Sequence, residues 1–156
     1  MNGAIIQDLY SSGLLIKADP QRGRLGDSVK NFRNTFTKLS LAAGATSDVQ
    51  ITILSGSDFI VTHGVGMVLN NSTQADLQWH PITIELSDPS ENMQNTALPF
   101  WHVFGHPVTP IAWAGYALLK ANSTVICSFT NNHSSTTVDI YATLLGLRRW
   151  RVGQGN

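Results

Sequence analysis

The chain has 156 residues, 42% hydrophobic and only 13% charged, with ten Lys and Arg balancing ten Asp and Glu. A length of this order suits one domain that buries roughly 68–70% of its extended surface, without a covalent staple. The single cysteine, Cys127, excludes an intrachain disulfide, and its place between Ile126 and Ser128 in an apolar run reads as an inert core thiol.

Membrane insertion and classical export are also disfavoured. The longest nearly apolar run, 110–119, falls far short of the ~20 residues of a membrane span. Ala4-Ile5-Ile6 is cut off by Gln7-Asp8 before it reaches the length of a secretory h-region, so no signal peptide is expected.

The zero net charge conceals a division. Residues 1–40 carry Lys17, Arg22, Arg24, Lys30, Arg33 and Lys38 against Asp8, Asp19 and Asp27. Residues 41–147 hold seven carboxylates and one cation, Lys120, before Arg148, Arg149 and Arg151 restore the balance. Segregated charge of this kind acts on association with partners rather than on fold.

Taken in chain order, Ile5, Ile6, Leu9 and Tyr10 lie at helical spacing, and Ser11-Ser12-Gly13 stops the helix after about two turns. The stretch 17–27 is rich in Gly, Pro and charge and has little to bury, so residues 1–35 read as an extended basic arm. From Phe36 the pattern changes to short runs rich in Val, Ile, Thr and Phe, separated by Gly, Asn, Ser and Asp. Eight runs are expected as strands: 36–41, 48–54, 59–63, 65–69, 76–86, 100–104, 117–120 continuing through 124–130, and 137–147.

Alternation is strictest at Val125, Cys127 and Phe129 and at Val138, Ile140, Ala142 and Leu144, where one face must be buried. In 76–86 the parity slips between Trp79 and Ile82, which requires a bulge or break at His80-Pro81. The segment 110–121 suits either a helix or an extended edge strand. The fold class is therefore all-β, a jelly roll or β-sandwich of about eight strands over 36–150, with an extended N-terminal arm and a flexible tail, 151–156.

No catalytic signature, cofactor fingerprint or metal-ligand spacing is present. His102 and His106 are four apart, but Gly105 and Pro107 oppose a helix, and on a strand the same spacing separates the Cα atoms by about 13 Å. Gly64-Val65-Gly66 lacks the third glycine and the βαβ context of a dinucleotide loop, and reads instead as a flexible or bulged strand start. The glycosylation-like triplets at Asn70, Asn71, Asn122 and Asn132 are better explained as turn chemistry. The tryptophans, Trp79, Trp101, Trp113 and Trp150, are more readily core residues than a stacking platform.

Several stretches together carry a resemblance: the arm leading into Leu39-Ser40-Leu41-Ala42-Ala43-Gly44-Ala45-Thr46, then Asp58-Phe59-Ile60-Val61, the extended segment around Pro107 and Pro110, the strand from Ser123 to Asn132, and the last strand from Val138 to Arg148. In this order of elements the chain resembles jelly-roll accessory proteins of tailed-bacteriophage virions, namely capsid decoration or cement proteins and head-fibre or neck components. The resemblance covers about residues 35–150. It implies a structural role without catalysis, a homo-oligomer (a trimer), attachment to the major capsid protein or another virion protein, and location in the virion after assembly in the host cytoplasm.

A cementing mechanism also follows from reach and charge. The 25 residues before Phe36 would cross roughly 80 Å of a partner surface if extended. Charge would steer the docking. The expected partner-binding residues are accordingly the apolar tip Ile5, Ile6, Leu9 and Tyr10, with the cations Lys17, Arg22, Arg24, Lys30, Arg33, Arg148, Arg149 and Arg151. An acidic protein surface suits them better than nucleic acid, because the arm is sparse in cations and offset by Asp19 and Asp27. The competing classes are a receptor- or carbohydrate-binding module on the same fold and a hydrolase with a noncontiguous site.

Overall fold

A computed structural model of the chain describes residues 3–17, 26–78, 80–88, 91–94 and 96–150. Among these residues one α-helix, α1 (Gly3–Ser11), precedes nine strands: β1 (Ser28–Leu41), β2 (Thr46–Thr52), β3 (Asp58–Asn70), β4 (Ile82–Asp88), β5 (Glu91–Asn92), β6 (Leu98–Pro99), β7 (Ile111–Leu119), β8 (Thr124–Asn131) and β9 (Val138–Trp150).

The strands form two antiparallel sheets. The first has the order β1-β9-β3-β7, and the second β2-β8-β4-β5, with β6 also on β4. Pairing is nested from the ends of the chain inward: β1 with β9, β2 with β8, β3 with β7 and β4 with β6. Such a chain is one long hairpin rolled across two sheets, and closing it requires the cross-pairs β3·β9 and β4·β8. This is an all-β jelly-roll sandwich.

The core is aromatic. Phe36, Phe59, Phe100, Phe104 and Phe129 are fully buried, and of the six phenylalanines only Phe32 stays half-exposed, edge-on to Phe59. The strict alternations resolve as expected: Val125, Cys127, Phe129, Val138, Ile140, Ala142 and Leu144 all lie at 0% exposure. Burial, helped by Asp48, pushes the Cys127 thiol well above its ordinary range and leaves it unreactive.

Several expected boundaries move. Residues 59–63 and 65–69 belong to one strand, β3, with a register shift between Val61 and His63. Chain 100–104 is not a strand. It makes a 3-10 turn over Phe100–His102, with Phe104 N–H bonded to the Phe100 carbonyl at 2.9 Å, because helical geometry turns both rings into the core together. Residues 110–121 take the extended alternative as the edge strand β7. The break at His80-Pro81 occurs where the parity slip requires it, and β4 begins at Ile82.

The glycines of Gly64-Val65-Gly66 have a packing role. A Cβ on Gly64 would lie 2.0 Å from the Val103 carbonyl, and one on Gly66 would lie 2.4 Å from the Phe100 ring. They admit the 3-10 turn against the sheet and leave no opening for a dinucleotide.

Candidate functional site

The arm expected over residues 1–35 differs in two segments. β1 begins at Ser28, because its ladder to β9 runs from Ser28 opposite Trp150 and satisfies the backbone whatever the side chains are. Helix α1 does not project outward: Leu9 and Leu15 are buried on Ile60 and Leu147, with Ile5, Ile6, Tyr10, Leu14 and Val29 packed around them. The expected apolar tip thus covers the outer face of its own first sheet, the nearest apolar surface available to a short amphipathic helix.

The C-terminal cations also turn inward. Arg149, 3% exposed, donates Nη1–H to the Leu14 carbonyl and pairs through Nη2 with Asp58 at 2.5 Å, while the other Asp58 oxygen accepts Ala121 N–H at 3.1 Å. This web stitches the segment behind α1 to β9, β3 and the β7–β8 turn. Arg148 donates Nε–H to Ser57 at 2.8 Å and lies over the Phe32 and Trp150 rings at 5.0 and 4.9 Å. Lys17, Lys30 and Arg33 are exposed. Arg22, Arg24 and Arg151 lie outside the described residues, as do Trp79 and the tail 151–156.

Helix α1 covers only part of the first sheet. Cross-strand register places His63, Leu145 and Arg33 in one outward row, Val65, Thr143 and Thr35 in the next, and Met67, Tyr141 and Thr37 in a third, with Leu69 beyond them. The Thr35 and Thr143 hydroxyls, bonded at 3.0 Å, confirm that these rows share a face. Val65, Met67, Leu69, Tyr141 and Leu145 are half-buried and belong to neither hydrophobic cluster. A groove of about 650 Å³, lined by Ile5, Arg33, Thr62, His63 and Leu145, marks the edge of the helix on this face. Sequence reasoning missed the strip because Gly64 and Gly66 alternate with these residues, and the parity alone does not reveal that the glycines point inward.

The end of the sandwich formed by the β1–β2, β3–β4, β6–β7 and β8–β9 connections gathers polar groups. Buried Asp139 accepts Ser40 N–H at 2.8 Å, Asn71 Nδ2–H at 2.9 Å and Gln74 Nε2–H at 3.0 Å. The Ser40 bond chiefly, with those of Gln74 and Asn71, holds its carboxyl below the usual carboxylate range against the opposing effect of burial. Ser40 and Gln74 have φ of 54° and 56°, so two of the three donors come from left-handed residues that this carboxylate helps to hold. Asn70 accepts Ser72 and Thr73 N–H as an Asx turn, and Asn122 has φ of 65°, in keeping with turn chemistry.

A groove of about 630 Å³ at this end is lined by Gln78, Trp101, His102, His106, Val108 and Ile111. In it His106 Nε2 lies 2.8 Å from Asp76, a His beside an Asp as a hydrolase would need. Its Nδ1, however, accepts Val108 N–H at 3.3 Å, so both ring nitrogens are engaged and neither faces a nucleophile. The pair clips the 106–109 turn to the β3–β4 connection. Among the described residues, no three His, Cys, Asp or Glu side chains converge on a metal position, and no helix is long and apolar enough to cross a membrane.

No protein-family model matches the chain, and no curated protein matches it. Among solved structures, the chain is similar to a protein of Desmodium yellow mottle tymovirus, with 13% identity, a TM-score of 0.38, and coverage of 83% of this chain and 91% of that one. It is also similar to an exo-beta-1,3-galactanase from Phanerochaete chrysosporium solved with galactose, with 11% identity and a TM-score of 0.31, covering 82% of this chain and 32% of the galactanase.

Proposed function

We propose that this chain is a structural virion protein that binds and stabilises the outside of a tailed-phage capsid, as a decoration or cement protein, its partner being the major capsid protein or a neighbouring virion protein. The carrying observation is the outer face of the first sheet, where Val65, Met67, Leu69, Tyr141 and Leu145 remain half-exposed beside exposed Arg33. An apolar strip with a polar margin is the arrangement of a protein–protein contact. The virion assignment itself rests on the jelly-roll fold and on the resemblance in element order, which is an analogy of fold. In this reading attachment is made by the sheet face and the exposed cation Arg33 on it, rather than by an arm tipped with Ile5, Ile6, Leu9 and Tyr10. A neck or tail position and a trimeric assembly remain part of the same proposal.

The test is co-sedimentation of the purified chain with phage heads assembled without it. Wild type is expected in the pellet, and Met67→Lys with Tyr141→Lys in the supernatant at unchanged melting temperature. Equal binding by the double variant overturns this use of the face.

A second reading, a glycan-binding module, is favoured by the groove holding Trp101, His106 and Gln78. Glycan-array binding that disappears in Trp101→Ala would select it.

A further inference from the structure

We propose that His80 and His133 form an acid-released latch that holds the β3–β4 connection against the β8–β9 loop, so that this end of the sandwich opens when the rings take up protons. The two imidazoles stack with centroids 4.8 Å apart and planes 28° apart. His80 is 8% exposed, and neither of its ring nitrogens has a hydrogen-bond partner. A second proton on that ring would bury a cation whose N–H groups have no acceptor. His133 Nδ1 accepts Ser135 N–H at 3.1 Å and Thr136 N–H at 2.9 Å, so a proton on this atom would set donor against donor and break the loop's own turn. Each protonation opposes the arrangement, and each also repels the other.

The latch lies between the other ties of the two segments: Asn71 N–H bonds the Thr137 carbonyl at 3.0 Å, and Ile82 pairs with Asn131 at the start of the β4–β8 ladder. Asn132 N–H bonds the Pro81 carbonyl at 3.0 Å, Asn132 Nδ2–H bonds Thr83 at 3.0 Å, and the Asn131 carboxamide holds Leu41, His133 and Thr136. The carboxylates of the packed elements are engaged elsewhere: Asp76 by His106, and Asp139 by Ser40, Asn71 and Gln74. On the second sheet Asp48 is bonded by Ser128, and Glu85 stands on the outer face opposite Ser128. The β1–β2 turn, 42–45, brings no titratable group. Burial first, and then His133, lowers the His80 pKa from its ordinary value. A lowered histidine pKa leaves the closed form complete above the ordinary value of about 6.5 and weakens it as pH falls below that. Between the two values, opening should rise about tenfold for each pH unit through the His80 ring.

Amide hydrogen exchange at Asn132, Ser135, Thr136 and Ile82, corrected for intrinsic rates, reads the opening between pH 7.5 and 5. Wild type is expected to lose protection at these amides as pH falls through 6.5, while strand amides of β9 keep theirs. His80→Phe preserves an aromatic stack but takes up no proton, and should cut the logarithmic pH response by at least half. An unchanged response in that variant overturns the latch. An NMR titration of the His80 ring in wild type provides a second readout, independent of whether the variant folds: a His80 pKa below the ordinary value of about 6.5 supports the latch, and a His80 that titrates at or above it overturns it. Neither result depends on which partner the sheet face binds.

Discussion

On the outer face of the second sheet, Thr46, Asp48, Gln50 and Thr52 of β2 stand beside Thr124, Ser128 and Thr130 of β8 and Thr83, Glu85 and Ser87 of β4, with Ile126 the apolar side chain among them, and hydroxyls bond across it, as Thr46 does to Thr130 at 2.9 Å. The outer face of the first sheet carries Ile60 and Leu147 under α1 and Val65, Met67, Leu69, Tyr141 and Leu145 beyond it. The strands of the two sheets are of the same kind, yet one face is finished for water and the other is finished only where the chain's own helix lies. An antiparallel sheet tolerates solvent on one side when the outward row is polar. The first sheet breaks that rule over both halves and corrects it over one, which leaves a half-buried apolar strip beyond the helix.

The largest expected effect comes from undoing the correction. Arg149→Ala removes the ion pair to Asp58 and the bond to the Leu14 carbonyl and leaves a part-buried carboxylate; denaturant unfolding should show a loss of about 3–5 kcal/mol. Arg149→Met with Asp58→Asn should lose clearly less, because no unpaired charge remains. Next in size, Leu9→Ala should cost about 2–3 kcal/mol, at the low side of buried-leucine truncations because α1 can detach as a unit. Gln7→Ala, on the exposed side of the same helix, should change stability by less than about 0.5 kcal/mol. If Leu9→Ala is equally silent, the helix does not cover the sheet in solution and the two faces are not finished differently.

A somewhat smaller loss, about 2 kcal/mol, is expected for Asp139→Ala, whose three N–H donors lie near enough to solvent to be partly satisfied by water. Because its folded pKa is depressed, the contribution of Asp139 is present above the unfolded value of about 3.9 and is lost as pH falls through the folded one. A pH series of wild type and Asp139→Ala should therefore converge in strong acid. Curves that stay parallel would show that the carboxylate is not holding Ser40 and Gln74 in their left-handed conformations.

The parts of the fold that were legible in the sequence were those in which one residue's neighbours in sequence decide its environment. The alternations of β8 and β9, the two-turn helix and the break before Pro81 are of this kind. What was not legible depended on distant chain. The pairing of Arg149 with Asp58 spans 91 positions, and nothing local distinguishes Arg149 from the exposed Arg33. In β3 the larger residues Val65 and Met67 point outward and the glycines inward, because the Phe100 ring and the Val103 carbonyl already fill the inner space. The apolar strip was hidden for that reason. The His80–His133 stack joins two loops that no motif connects, so neither residue's neighbours in sequence disclose it.

The smallest effect on stability is the most informative about function. Met67→Lys on the first sheet and Gln50→Lys on the second each add one cation to an outward position, and each should change unfolding free energy by no more than about 0.5 kcal/mol. Gln50 is exposed, opposite Ile126 in an otherwise polar row, and already in water, so its replacement should leave association unchanged. Met67 lies half-buried between Val65 and Leu69 on the strip, and a lysine there must carry its ammonium into any contact that covers it. Light scattering across a concentration series, with and without phage heads, should therefore separate the two variants although a melting curve does not. Self-association lost only in Met67→Lys would assign the strip to a second copy of the chain, and binding to heads lost only in Met67→Lys would assign it to the shell. Identical behaviour of both variants with wild type would mean that the unfinished half-face is left uncovered, and that the difference between the two sheets carries no function.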